Sequence, residues 1–288
     1  ETLAQWDRHR ATWARQVDRI IVLEGTRPQR PPMDPAVFEA WRHSTARLNA
    51  IEEERALPYL LVAIPTLARA ETRGESLAEL ETLLLPALDV TLPRLQEEIG
   101  RVRDAFSGAQ ELVLCTGQQY ELRMNLGTRL LLADDGYIDE ADRGRGAIVS
   151  NLPAGSLYTT VLEEESEGIV WLEQVGQARE VQLDFQGGRI VQITAREGRD
   201  EVEALFAQHS GEPRRVSHIG IGLNPAVRQA MEWTLVDEHV YGALFLALGE
   251  NRYMGGQNES SLNIDFAITD GTLLADGRAI VQDGQVVV

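Results

Sequence analysis

Apolar positions recur at helical spacing through the first third of the chain and at strand spacing through the remainder. Trp6, Trp13, Val17, Ile20 and Ile21 fall near a 3.6-residue period and predict an opening helix. Four prolines between Arg27 and Pro35 predict a loop. Asp34-Pro35 is a good helix start, an N-cap followed by proline at the first helical position, and that helix carries Phe38, Trp41, Ala46, Leu48 and Ile51. The apolar run Tyr59 to Ile64, stopped by Pro65, predicts a buried strand, and two further helices are expected at Ser76 to Leu88 and Leu92 to Phe106. From Glu111 the period shortens. Glu111 to Thr116, Tyr120 to Leu126 and Arg129 to Ala133 are short alternating runs. Val181 to Phe185 and Arg189 to Ala195 flank Gly187-Gly188 as a hairpin, and Thr272 to Val288 repeats the design around Asp276-Gly277 and Asp283-Gly284. One helix, about Asp200 to His209, interrupts the strands. The pattern predicts an α+β protein: a helical part over residues 1–110 and a β-rich domain over 111–288.

Composition narrows what such a fold can do. With 43% hydrophobic and 25% charged residues among 288, the chain has material for a real core. Acidic residues outnumber basic ones 45 to 27, giving a net charge of -18, and every basic residue is an arginine. No basic face is available to displace counterions, so nucleic acid is not an expected partner. Cys115 is the sole cysteine, which excludes an intrachain disulfide and a thiolate metal cluster. Five histidines (His9, His43, His209, His218 and His239) set a similarly tight limit on imidazole sites. No uninterrupted apolar run approaches the ~18 residues of a membrane span, and no basic-then-apolar leader precedes the first helix, so a soluble, cytoplasmic protein is expected.

The chain lacks the glycine loops of nucleotide-binding proteins, the His-Glu-x-x-His helix and the Gly-x-Ser-x-Gly elbow. An ordered series of local patterns is present instead: Ala63-Ile-Pro65-Thr66-Leu-Ala68, Asn151-Leu-Pro153, Phe185-Gln-Gly-Gly-Arg-Ile-Val191, Ile219-Gly-Ile-Gly222-Leu-Asn-Pro225, Ala247-Leu-Gly249, and Gly255-Gly256-Gln-Asn-Glu-Ser-Ser261-Leu-Asn-Ile-Asp265-Phe266. From about residue 57 onward this series resembles the thermophilic-type metalloaminopeptidases, the aminopeptidase T and aminopeptidase S group. The resemblance implies that family's two-domain layout, here with a shortened Rossmann-like N-terminal part over residues 1–110 and an aminopeptidase-like domain over 111–288, a homodimer, and a two-metal centre that activates water.

Position by position, the resemblance places few of that centre's ligands here. After Asn-Leu-Pro the family has Thr-Glu-Glu where this chain has Ala154-Gly155-Ser156. A family glutamate corresponds to His218, and two family histidines correspond to Phe245 and Asn263, leaving Asp265 as the retained carboxylate. The expectation is therefore a protein without a metal cofactor and without catalytic residues, whose cleft binds a peptide through Ser156, His218, Asn224, Phe245, Tyr253, Asn263 and Asp265. It resembles the peptide-binding proteins of ribosomal-peptide natural-product (crocagin-type) biosynthesis, which implies a precursor peptide and its modifying enzymes as partners. Each residue also has an ordinary structural role open to it: Asp265 as a turn or network carboxylate, His218 as a hydrogen-bonded core histidine, Phe245 as core, and Glu163-Glu-Glu-Ser-Glu-Gly as a solvated hairpin tip. The alternative function is an enzyme with a remodelled site, either an aminopeptidase or a single-metal enzyme like the pyridine-diol ring-cleaving dioxygenases that resemble the same family. A mononuclear iron site wants two histidines and a carboxylate. Asp237-Glu238-His239 is the one cluster that could rebuild such a site with His218 and Asp265.

Overall fold

The computed structural model describes residues 2–25, 34–117 and 119–288. Its helices and strands fall into two compact units, residues 1–81 with 138–152, and residues 82–137 with 153–288.

In the first unit, α1 (Thr2–Gln16), β1 (Ile20–Glu24), α2 (Pro35–Glu54), β2 (Tyr59–Ala63) and α3 (Leu67–Arg73) follow in order. α4 (Leu77–Leu88) runs across the boundary, α5 (Leu92–Ala105), β3 (Glu111–Thr116), β4 (Tyr120–Asn125) and β5 (Leu132–Asp134) belong to the second unit, and α6 (Glu140–Gly144) and β6 (Val149–Leu152) return to the first. β1, β2 and β6 form a parallel three-stranded sheet. Ile20 and Ile21, expected on the first helix, open β1 instead. The Arg55 guanidinium donates to the carbonyls of Ala14 and Val17, which ends α1 early, and β1 then pairs with β2 from Ile20↔Tyr59 to Glu24↔Ala63. Thr66 of the Ala-Ile-Pro-Thr run caps α3 by accepting from the Arg69 amide at 3.2 Å. Most of the proline-rich loop expected between Arg27 and Pro35 lies outside the described residues.

The second unit is a β-sandwich completed by β7 (Ser156–Thr160), β8 (Ser166–Val175), β9 (Ala178–Gln186), β10 (Arg189–Thr194), α7 (Arg199–Ala207), β11 (Val216–Gly222), α8 (Thr234–Asp237), β12 (Leu244–Gly249), β13 (Asn263–Ile268), β14 (Thr272–Ala275), β15 (Arg278–Gln282) and β16 (Gln285–Val286). An eight-stranded sheet runs β10-β9-β8-β4-β3-β14-β15-β16, and a five-stranded sheet runs β13-β12-β11-β7-β5, with antiparallel pairing throughout both. Their facing sides share one core. Leu114, Leu122, Val170, Leu183 and Phe185 come from the larger sheet, Leu157, Ile219, Ile221, Leu246 and Phe266 from the smaller, and Ile99, Val102 and Phe206 from α5 and α7. The α+β class expected from the period change is the observed one. Among the described residues, no helix is long and apolar enough to cross a membrane.

All three turn dipeptides predicted from sequence hold left-handed backbone at both positions: Gly187-Gly188, Asp276-Gly277 and Asp283-Gly284. This is the mirror-image turn that matches strand twist in tight hairpins. Gly188 has a second reason to be glycine, since a Cβ there would stand 1.6 Å from the Glu163 carbonyl oxygen, whereas at Gly187 the nearest atom is 3.9 Å away. Gly187→Ala should therefore lose about 1–2 kcal/mol of stability from backbone strain alone. Gly188→Ala should lose at least about 2 kcal/mol more, because the chain must also move away from Glu163. Urea midpoints of the two variants check the difference.

Candidate functional site

In an antiparallel sheet, residues directly opposite one another point to the same face. Register across the five-stranded sheet therefore defines the face turned away from the core. One row reads Thr160–His218–Ala247–Asp265 across β7, β11, β12 and β13. The next reads Leu132–Tyr158–Gly220–Phe245–Ala267, and a third Asp134–Ser156–Gly222. Asn263 sits opposite Gly249 beyond the first row. Five of the seven residues expected to line a site, Ser156, His218, Phe245, Asn263 and Asp265, thus share one sheet face. Tyr253 joins them from the 3-10 turn Arg252–Met254, where its hydroxyl accepts from Asn263 Nδ2 at 2.9 Å. Asn224 does not. It is fully buried, and its amide donates to the carbonyls of Ala87 and Ala154 and accepts from the Ala226 amide, so its work is to hold loops together.

Small residues make room on this face. Ala247 separates His218 from Asp265, and its methyl group lets the two side chains meet above it, with Nε2 of His218 3.0 Å from Oδ1 of Asp265. That approach lies off the hydrogen-bond axis, and Asp265 Oδ1 is buried without a hydrogen bond. The other ring nitrogen, Nδ1, is 2.9 Å from Ser217 Oγ, which donates its only proton to the Glu250 carbonyl at 3.0 Å. In the tautomer that satisfies this chain of hydrogen bonds, Nδ1 is the N–H and the Nε2 lone pair faces the site. In that tautomer two acceptors, Nε2 and Asp265 Oδ1, converge there. The rings of Tyr158 and Phe245 flank the imidazole at 6.0 and 5.9 Å. Phe245 lies over Gly220, where a Cβ would meet its ring at 2.0 Å.

A second set of acids, only partly visible in the sequence, stands over the same face. α8 packs on β13 and is followed directly by Glu238 and His239. Burial raises the Glu238 carboxyl well above the usual carboxylate range, and the nearby charges of Asp265, Asp134 and Asp237 push it the same way, favouring its protonated form. Burial lowers the His239 imidazole against the opposing pull of Asp134, whose Oδ2 is 3.9 Å from Nε2. Asp237 is engaged locally and accepts from the amides of Met231 and Trp233 at 2.6 and 2.8 Å. Asp134 carried no motif, and only its register opposite Ser156 brings it to the site.

The sequence profile of the NicX family, 2,5-dihydroxypyridine 5,6-dioxygenase, matches residues 82–288. The chain belongs to this family. It is 27% identical over 187 residues to the 2,5-dihydroxypyridine 5,6-dioxygenase of Pseudomonas putida KT2440, covering 56% of this chain and 50% of that protein, so the match spans half the length of the curated relative. Two solved structures share the fold. One is the aminopeptidase AmpT of Thermus thermophilus, with a TM-score of 0.73, 18% identity, and 99% and 80% of the two chains covered. The other is the P. putida dioxygenase, with a TM-score of 0.62, 18% identity, and 99% and 97% covered. The aminopeptidase-like fold expected from the motif series is therefore observed, but the family is that of the dioxygenases.

A metal centre is implied by both likenesses, and the donors present do not fit one. His218 Nε2 and Asp265 Oδ1 are suitable donors, whereas the neighbouring positions hold Phe245, Ala247 and Asn263. Among the described residues, no group of three or more His, Cys, Asp or Glu side chains is placed to hold an ion. A mononuclear site of two imidazoles and a carboxylate is one donor short.

Two outcomes follow. Gly220→Ala should destabilise by about 1–3 kcal/mol through contact with the Phe245 ring. In the Gly220→Ala/Phe245→Ala double variant that loss should shrink, giving a coupling of about 0.5–3 kcal/mol in a double-mutant cycle by denaturant titration. Glu238 supplies a pH test. Its ionisation is pushed upward in the fold from about pH 4.3 when unfolded, so native protein binds the extra proton and stability falls as pH rises above that value. Glu238→Gln should remove this slope, and its stability advantage over wild type should widen from pH 4 to pH 7.

Proposed function

We propose that this chain is an enzyme of the dioxygenase family with a remodelled centre, acting on a hydroxylated, nitrogen-containing aromatic ring bound on the outer face of the five-stranded sheet. The observation that carries this reading is the wiring of His218. Its Nδ1 is tied to Ser217 while its Nε2 lone pair is aimed beside Asp265, between two aromatic rings. A ring hydroxyl or ring N–H placed there would donate to Nε2, Asp265 would stabilise the imidazolium as the proton moves, and Tyr158 and Phe245 would bracket the flat ligand. The family match over residues 82–288 supports the substrate class.

A second reading, a non-catalytic peptide holder, is favoured by the incomplete donor set and by the acids Asp134, Glu238 and Asp265 over one face, which suit a cationic group on an extended chain. One comparison separates the two. Wild type, His218→Asn and Asp265→Asn are titrated with 2,5-dihydroxypyridine and with arginine-rich peptides, and ring consumption is followed by ultraviolet absorbance with and without added ferrous ion. The enzyme reading expects ring binding weakened about 10- to 100-fold in either variant, together with turnover that those variants lose. Peptide binding with neither ring binding nor turnover would replace it by the second reading.

A further inference from the structure

Glu163 lies in the turn between β7 and β8, beyond the strand rows of the outer face, where the sequence predicts a solvated hairpin tip. Its carboxylate is buried instead. Oε2 accepts from Arg129 Nη2 at 2.6 Å, while Oε1 accepts from Asn251 Nδ2 at 3.0 Å and from the Gln257 amide at 2.6 Å. Arg129 also donates through Nη1 to the Gly255 carbonyl. The segment between β12 and β13, which carries Tyr253, is therefore wrapped around one buried charge. Asn251 carries the connection inward. It is fully buried, and its Nδ2 also reaches the Ser217 carbonyl at 3.2 Å. A Cβ on Gly256 would stand 2.1–2.4 Å from the Asn251 amide group, so the glycine there makes room for this bridge.

The bridge ends beside His218. Glu250, the neighbour of Asn251, presents its carbonyl to Ser217 Oγ at 3.0 Å, and the same Oγ is 2.9 Å from His218 Nδ1. A hydroxyl has one proton to donate. While that proton goes to the Glu250 carbonyl, Nδ1 donates its own proton to Oγ, and Nε2 keeps a bare lone pair. If the carbonyl withdraws, Ser217 Oγ turns and donates to Nδ1. The ring stays neutral, since Nδ1 gives up its proton to solvent as Nε2 takes one, and Nε2 then carries an N–H beside Asp265. The acceptor offered to a ligand is lost. We propose that Glu163 is a positioning residue for the ligand face: through Asn251 it holds the Glu250 carbonyl against Ser217 and so fixes the tautomer of His218. This assignment rests on the reading of His218 as the proton acceptor.

Protein labelled with 15N-histidine reports the tautomer without any ligand, because bare and protonated ring nitrogens give separate signals. Spectra are taken above about pH 8, where an ordinary imidazole is neutral, and His218 is assigned by its absence in His218→Asn. Wild type should show a bare Nε2. In Glu163→Gln the side chain has donors on both sides, so its NH2 meets an N–H in either orientation and the bridge is loosened. The tautomer ratio should move about three- to tenfold toward Nε2–H, the range that one hydrogen bond sustains. Asn251→Ser cuts the same bridge without touching the buried charge and should act likewise, which keeps the test open if Glu163→Gln fails to fold. Glu98→Gln removes another buried carboxylate tied to arginine, on α5, and should leave the ratio unchanged despite its cost in stability. A bare Nε2 in either folded bridge variant, or an equal shift in Glu98→Gln, would overturn the proposal and reduce Glu163 to a structural ion pair. A wild-type ring already protonated at Nε2 would overturn the acceptor reading itself, so the two failures are told apart.

Discussion

The meeting of His218 and Asp265 above Ala247 is the contact on which the outer face of the small sheet depends. Two residues on strands two apart have Cα atoms separated by about 9–10 Å, too far for a short contact unless the strand between them offers almost nothing to climb over. A methyl group at Ala247 and hydrogens at Gly220 and Gly222 provide that low floor. Everything else on the face follows from it. The Phe245 ring can lie down over Gly220, the His239 backbone can press on Gly222, and the imidazole keeps its orientation because Ser217 and Glu250 hold its far side. Small residues here do the work that polar ones do in a crowded active site, by deciding where large side chains may go.

The legible parts of this fold were those with a period or a turn. The hairpin turns, α2, α4, α5 and the strand β2 follow from spacing, capping and Gly or Asp dipeptides, although β2 is half-buried where the apolar run predicted full burial. The sheet that carries the site was the least legible, because β11 and β12 are buried along their whole length and show no alternation. For the same reason the seven site residues came from motif likeness and not from periodicity. That route reached residues that share one outward sheet face where a motif position sits on a strand, as at His218, Phe245 and Asp265. It also gathered Asn224, whose side chain pins loops, and it was blind to Asp134, which comes to that face only through strand register. The early end of α1 was hidden too, since Arg55 lies some forty residues beyond the carbonyls it caps.

Electrostatics divides the acidic residues into two populations. Buried carboxylates elsewhere are tied to arginine: Glu163 to Arg129 at 2.6 Å, joining two connecting segments of the sandwich, and Glu98 to Arg94 and Arg101 at 2.9 and 3.0 Å along α5. The carboxylates over the outer face meet imidazoles or one another. An arginine pair is charged across the whole physiological range, whereas an imidazole pair can change its charge near neutrality. Asp265 and Asp134 on this face thus have partners whose charge depends on protonation, as does exposed Glu39 beside His43.

The central position of β11 and β12 has a dynamic consequence. Their amides sit in ladders on both sides, in the part of a sandwich that opens only when the whole domain unfolds. A site built on such strands has a floor that cannot adjust to its ligand on the timescale of binding. Adaptation over evolution falls to the connecting segments, residues 223–243 with the short helix α8 and residues 250–262 with Tyr253, whose exchange would leave the sheet intact. Relatives with this floor should then differ in the molecules they accept mainly through those two crossings, the fast-changing margin of a slow-changing surface.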